Sequence, residues 1–329
     1  MHSANDLTID AHVLDIDCDA VTTEIANWLR EQISRTLHRR GAIVAVSGGV
    51  DSAVCAALAI RALGSKRVFA LLMPEQDSPA DDTARGVQVC ETYGIEYVIE
   101  DITPTLEALG CYRRRDKAIR ELFPEYGDDW RCKISLADGG REEGRVNYFD
   151  LTVQSPEGQI QRKRMPLSTY LGVVAATNMK QRTRKLLEYH HAERLNYAVL
   201  GTPNRLEYEL GFFVRGGDGL ADVKPIAHLY KTQVYALARH LGVSEEIIDR
   251  RPDTGTYSLP QTQEEFFFGL PIEQLDLLLY TYMQQVPAID VASGQSMTKD
   301  QVRRIYLNIE MKRRQAEQLT QNALLMSLS

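Results

Sequence analysis

From Ala20 to Arg40 apolar residues recur at helical spacing, with Val21, Ile25, Trp28, Leu29, Ile33 and Leu37 on one face. The pattern then changes. Ala42 to Val46 is a compact apolar run of buried-strand type, and Arg67 to Met73 and Glu96 to Ile102 predict two more strands. Helical patterns over Ser52 to Leu63 and Asp81 to Tyr93 separate them. Buried strands alternating with helices predict an α/β fold, a doubly wound parallel sheet with right-handed crossovers.

The alternation breaks between Gly110 and Arg164. A basic cluster (Arg113, Arg114, Arg115, Lys117) is followed by the runs RCKISLA, VNYFDLTVQ and QIQRKRM, with DGGREEG and SPEG between them. Period-two apolar runs separated by turn formers predict hairpins. Residues 110–165 therefore read as a β-rich insertion within one domain spanning 1–329. Its basic clusters, the second at Arg162 to Arg164, read as solvated faces. The α/β pattern resumes with a helix around Leu186 to Arg194 and the strand YAVL. Further helices are expected near Tyr230 to Leu241, Ile272 to Gln284 and Thr298 to Gln321.

Composition narrows the partners. A net charge of −7 argues against a duplex nucleic-acid surface, which needs concentrated basic charge. The five cysteines are scattered without a CxxC pair, so neither a disulfide framework nor a zinc knuckle is expected. The acidic start lacks the layout of a signal peptide, and no apolar run reaches membrane-spanning length. A cytoplasmic protein is the expectation.

The sharpest chemical signal is Ser47-Gly48-Gly49-Val50-Asp51-Ser52, set between a predicted buried strand and a helix. A strand, glycine loop and helix aim backbone N–H groups and a helix N-terminus at an anion. Paired glycines let phosphates approach, Ser47 and Ser52 add hydroxyls, and Asp51 is placed to hold a metal. Neither GxxxxGK[ST] nor GxGxxG is present. The loop therefore favours binding of β,γ-pyrophosphate as a leaving group over γ-phosphoryl transfer.

SGGVDSA resembles the pyrophosphate loop of the N-type ATP pyrophosphatases. Asn178, Arg182, Arg184, Tyr189, Gly201-Thr202, Glu207, Gly211-Phe212-Phe213, Gly217-Asp218-Gly219, Asp222, Pro225 and Lys231 together resemble the signature of the ammonia-dependent NAD synthetase family. The resemblance runs from the N-terminal helix to about Leu279 and recurs near Lys312. It implies an adenine nucleotide alpha hydrolase-like fold. It also implies ATP as co-substrate, held by Ser47, Gly48, Gly49, Val50, Asp51, Ser52, Thr202 and Lys231, and Mg²⁺ on Asp51 and Glu207. Asn178, Arg182, Arg215, Asp222 and Lys312 would bind the dinucleotide, and Asp218, Lys231 and Asp51 would act in catalysis, Asp218 by positioning ammonia.

The implied reaction is adenylation of the carboxylate of nicotinic acid adenine dinucleotide, with release of pyrophosphate, and then amidation to NAD. The implied assembly is a homodimer. With no room for a glutaminase beside the synthetase core, use of glutamine would need a separate glutaminase partner. The chain departs from the family pattern at Arg215, where lysine is usual, at Asp253-Thr254, at Met311-Lys312 and in the length of the insertion. Two other readings remain: amidation of a different carboxylate, in a pocket reshaped by the insertion, and a nucleotide-binding module without turnover. The insertion is expected over or beside the acceptor pocket.

Overall fold

The computed structural model describes residues 11–137 and 148–326. Four parallel strands form the central sheet: β1 (Ala42–Ala45), β2 (Val68–Leu72), β3 (Glu96–Ile99) and β7 (Ala198–Leu200), in the order β3-β2-β1-β7. Ala42 pairs in register with Val68 on one side and Ala198 on the other. Because side chains alternate across a strand, β1 sends Ala42 and Val44 to one face and Ile43 to the other. The first face packs on α1 (Cys18–Glu31) and α2 (Val50–Leu63), with α3 (Ala80–Tyr93) beside them. The opposite face packs on α4 (Thr103–Ala108), the start of α5 (Cys111–Arg120) and the end of α6 (Leu167–Leu195). Helices on both faces explain why the strands read as continuous apolar runs rather than alternating ones.

The segment from residue 110 begins as a helix, α5, and not as a strand. It continues as an antiparallel sheet of β4 (Arg131–Leu136), β5 (Phe149–Gln154) and β6 (Ile160–Arg164). The predicted DGGREEG turn lies outside the described residues. Cys132, Ile134, Leu151 and Val153 of this sheet build a core with Phe123, Val173 of α6 and Tyr257. The free side of β4 is taken by a later loop: Cys132 N donates to Ser258 Oγ at 2.9 Å and Leu259 N to Cys132 O at 3.1 Å.

The basic cluster on α5 divides. Arg113 and Arg114 are exposed as expected, but Arg115 is buried and paired with Asp77 and Asp116. Lys180 of α6 shares that interior, donating to Glu75 Oε1 at 3.0 Å, Asp77 Oδ2 at 2.6 Å and Thr256 O at 2.8 Å. Tyr112 donates to the other oxygen of Glu75. Charges taken out of water persist only when paired and hydrogen-bonded, and this network meets that condition. It ties the loop after β2 to the insertion and to the loop that edges β4.

The remaining helices are α7 (Arg205–Leu210), α8 (Lys231–Leu241), α9 (Glu245–Ile248), α10 (Ile272–Met283), α11 (Ala288–Gly294) and α12 (Lys299–Thr320). α7, α10, α11 and α12 share a second core built on Leu206, Leu210, Leu278, Val291 and Ile309. All five cysteines are free thiols. Among the described residues, no helix is long and apolar enough to cross a membrane.

Candidate active site

A cavity of about 660 Å³ opens where β1, β2 and β7 end. β1 leads to β2 on one side while β7 lies on the other, so the strand order reverses here. In open α/β sheets ligands bind beyond the carboxyl ends of the strands at such a point. α6 forms a wall: Tyr170, Val174, Asn178, Gln181, Lys185 and Glu188 recur every three or four residues along one of its faces. Phe212, Phe213, Phe266, Phe267 and Tyr257 supply an aromatic wall.

The glycine loop sits at the mouth of β1. Gly48 has φ +77°, and a Cβ there would stand 2.5 Å from the carbonyl oxygen of Asp82, so glycine is needed for both conformation and space. Ser52 Oγ donates to Gly49 O at 2.9 Å and accepts from Ser47 N at 3.2 Å, which closes the loop on itself. Among the described residues, no side chain caps α2. Its first N–H groups are therefore available to an anion at the positive end of the helix dipole.

Asn204 joins the two predicted metal ligands. It caps α7 in a reciprocal box, accepting from Glu207 N at 3.2 Å while its own N–H donates to Glu207 Oε2 at 3.0 Å. Its side-chain amide donates to Asp51 Oδ1 at 3.2 Å. Gln263 donates to the remaining oxygen of Glu207 at 3.0 Å. Removal from water, and then repulsion from Asp51, push the Glu207 carboxyl up to about 8. Lys231, 2% exposed, donates to Asp51 Oδ2. Burial alone would lower its pKa; the charges of Asp51 and Glu207 outweigh that and leave it raised.

Asp276 accepts from Lys231 N and Thr232 N, which anchors the start of α8 and hence Lys231. Among the described residues no group of three or more His, Cys, Asp or Glu could cage a metal. Two carboxylates beside a phosphate loop, with an ammonium already drawn to them, do fit Mg²⁺. That ion is commonly held by one or two carboxylates plus substrate phosphates.

Asp218 lines the cavity and accepts from Val214 N at 2.7 Å. Burial raises its carboxyl above the usual range, opposed by that hydrogen bond and by Lys185. Lys185 is paired with Glu188 at 2.6 Å. Arg184 donates to Met73 O at 3.2 Å, and burial lowers its pKa.

The cavity thus gathers Ser47, Gly49, Val50, Asp51, Ser52, Asn178, Thr202, Glu207, Asp218 and Lys231 of the residues predicted from sequence. Gly48, Arg182, Arg215, Asp222 and Lys312 do not line it. Gly48 is turned against α3. Exposed Arg182 donates to Arg215 O, and Arg215 donates to Gln321 O, so both tie α6 to the end of α12. Asp222 accepts from Val199 N at 2.8 Å and Tyr189 Oη at 3.3 Å, fastening its loop to β7.

Lys312 is buried behind the aromatic wall, donating to Phe267 O at 2.6 Å with its ammonium 4.2 Å from the Phe267 ring centroid. Among the described residues, the insertion sheet sends no side chain into the cavity; it backs Tyr257 and Phe266, which do line it. Sequence reasoning missed Asn204, Gln263, Lys185 and Glu188. Asn204 carried a signal: asparagine three residues before glutamate marks a helix start.

Burial pushes the Lys312 amine down to about 7 from an ordinary 10.5. Between those values the unfolded chain holds a proton that the folded chain has released, so stability rises with pH across that window. The slope reaches at most about 1.4 kcal/mol per pH unit. Denaturant titrations at pH 7, 8 and 9 should show the native chain gaining stability relative to Lys312→Met. A difference that stays constant with pH would contradict the account of this amine.

An uncapped helix behind a double-glycine loop at a topological switch point, with two carboxylates and a lysine beside it, is the arrangement expected of the ATP pyrophosphatase class that SGGVDSA resembles. The particular family follows from comparison with known proteins. The family profile described as NAD synthase matches residues 21–122 and 150–318, leaving out much of the insertion. An NH₃-dependent NAD⁺ synthetase of Rhizobium meliloti (strain 1021) is 54% identical over 310 residues, covering 94% of this chain and 92% of the relative. The chain belongs to the NAD synthase family.

Solved structures share the fold. The NMN synthetase of Francisella tularensis superposes with TM-score 0.63 at 21% identity, covering 95% of this chain and 100% of the other. The NH₃-dependent NAD synthetase of Campylobacter jejuni, in complex with nitrate, gives 0.62 at 20% identity and the same coverages.

Proposed function

We propose that this protein is an ammonia-dependent NAD synthetase, which converts nicotinic acid adenine dinucleotide to NAD while ATP is split to AMP and pyrophosphate. The observation that carries the reading is the Asp51–Asn204–Glu207 unit beneath the uncapped start of α2. It is built to hold a triphosphate by its β and γ groups, leaving the α-phosphorus open to attack.

In the first step an acceptor carboxylate oxygen bonds to the α-phosphorus and the bond to pyrophosphate breaks. Two anions must meet, so the N–H groups of α2, Ser47, Ser52, Thr202 and Lys231 offset their repulsion and the charge growing on the leaving group. Asp51 and Glu207 would hold Mg²⁺, which supplies further charge neutralisation when bound. In the second step ammonia attacks the acyl carbon, AMP leaves, and a proton is lost from nitrogen. Asp218, whose carboxyl is raised by burial, accepts that proton on a carboxylate oxygen. Asn178, Gln181 and the aromatic wall hold the acceptor. Arg182, Arg215, Asp222 and Lys312 act from outside the cavity of a single chain, by fixing the elements around it.

The working assembly is a homodimer, as the family resemblance implies; Leu167 and Leu186 of α6 are exposed in the single chain. The nitrogen donor is free ammonia, with a separate glutaminase as an optional supplier.

The test incubates the protein with ATP, Mg²⁺ and ammonium, adding either nicotinic acid adenine dinucleotide or the mononucleotide, and resolves the products chromatographically. NAD, AMP and pyrophosphate in equal amounts are expected from the dinucleotide. ADP as the main nucleotide, or amidation of the mononucleotide alone, would contradict the reading.

A further inference from the structure

The chain that follows α9 brings Arg250 and Arg251 onto the cavity wall, beside Asp82 and Thr83 of α3. Asp82 Oδ1 accepts from Arg85 Nη2 at 2.6 Å and also from Arg250 Nη1. One carboxylate oxygen therefore faces two guanidinium groups. Asp81 adds little, being exposed and 3.9 Å from Arg85. Arg85 Nε is buried with no hydrogen-bond partner among the described residues. Positive charge is in excess here.

That excess lies against the phosphate loop. A Cβ at Gly48 would meet the Asp82 carbonyl oxygen at 2.5 Å and Arg85 Cβ at 3.1 Å, so the first turns of α3 press directly on the loop. Lys231, the loop's other cation, is committed to Asp51. The two arginines differ in freedom. Arg85 has 11% of its side chain exposed and is held on α3 itself, one turn from Asp82, whereas Arg250 has 25% exposed and belongs to a segment between helices. A planar guanidinium can exchange a carboxylate for two phosphate oxygens without changing its donor geometry.

We propose that Arg250 is a pyrophosphate-binding residue, held at rest by Asp82, and that it moves from Asp82 to the β,γ-phosphates when ATP is bound and cleaved. The proposal rests on the reading above, that ATP is split to AMP and pyrophosphate. Charge builds on pyrophosphate as its bond to the α-phosphorus breaks, and a guanidinium gained at that moment favours the transition state. Asp82 is the resting counter-ion. Removing it frees the cation, so the two residues act in opposite directions on the same ligand.

The experiment measures magnesium pyrophosphate binding by calorimetry, and product inhibition by pyrophosphate in the full reaction, for the native chain, Arg250→Gln, Arg250→Lys and Asp82→Asn. Arg250→Gln should weaken pyrophosphate binding about tenfold, the loss of one charge-assisted contact. Arg250→Lys should recover part of that, and Asp82→Asn should tighten binding about threefold. The acceptor KM should not move in any of them. Unchanged pyrophosphate affinity in Arg250→Gln overturns the proposal. So does weakening in Asp82→Asn equal to that in Arg250→Gln, which would make the pair a structural tie between α3 and the loop. An enzyme that releases AMP and pyrophosphate yet shows either result refutes Arg250's role alone; release of ADP by the native chain refutes the underlying reading as well.

Discussion

Asp51→Asn and Glu207→Gln are each expected to lower turnover by about a hundredfold or more, because each takes a negative charge from the same small volume. The geometry predicts how they combine. Asn204 hydrogen-bonds both carboxylates and Lys231 answers to both charges, so the residues work as one unit. Effects within a unit are not additive, and the double variant should be little worse than the poorer single one. Steady-state kinetics on the three variants checks this. Near-native turnover in either single variant would remove that residue from the reaction. A double variant whose loss is the product of the two single losses would break the unit apart.

Much of that unit was legible in the sequence, and the reason is local. The glycine loop, the strand before it and the helix after it occupy consecutive residues, so their chemistry can be read in one window. The parallel strands were legible too, because burial on both faces leaves an uninterrupted apolar run. What joins the pieces was not. Asn204 reaches Asp51 across 153 positions, and Lys180 reaches Glu75 across 105. A charged residue has no periodicity that announces a distant partner, and surface is the ordinary place for one. Arg115 read as solvated for that reason.

α6 shows a second limit. The spacing of apolar residues predicts a helix near Leu186 to Arg194, yet α6 begins at Leu167. One face of α6 lines the cavity with polar and apolar residues alike, another packs on the insertion, and Leu167 and Leu186 remain exposed. With polar and apolar demands on several faces no single stripe forms, and periodicity cannot mark the start. The insertion was legible as β-structure from its alternation, but the side chains through which it meets the cavity were not. The sheet stands behind the aromatic wall and acts on the cavity through Tyr257 and Phe266.

Asp218→Asn is expected to separate the two halves of the reaction. Asparagine can still accept from Val214 N, so the loop should keep its shape, while the side chain can no longer take a proton from the attacking nitrogen. Overall NAD formation should fall by about two orders of magnitude or more, the usual range for a lost general base. Acceptor-dependent exchange of labelled pyrophosphate into ATP, which reports adenylation alone, should stay within about twofold of native. Raising the pH should recover part of the loss relative to native, because solution base can then take the proton that Asp218 no longer accepts. Equal loss in both assays would make Asp218 a structural or adenylation residue.

The central claim is that the acceptor carboxylate bonds directly to the α-phosphorus of ATP. Nicotinic acid adenine dinucleotide labelled with oxygen-18 in its carboxylate, turned over with ammonia and examined by mass spectrometry, tests it most directly. An acyl adenylate passes one carboxylate oxygen to the phosphate of AMP when the amide forms, so the account predicts AMP carrying a single oxygen-18 for each NAD produced. Unlabelled AMP, or label found in inorganic phosphate, would contradict it.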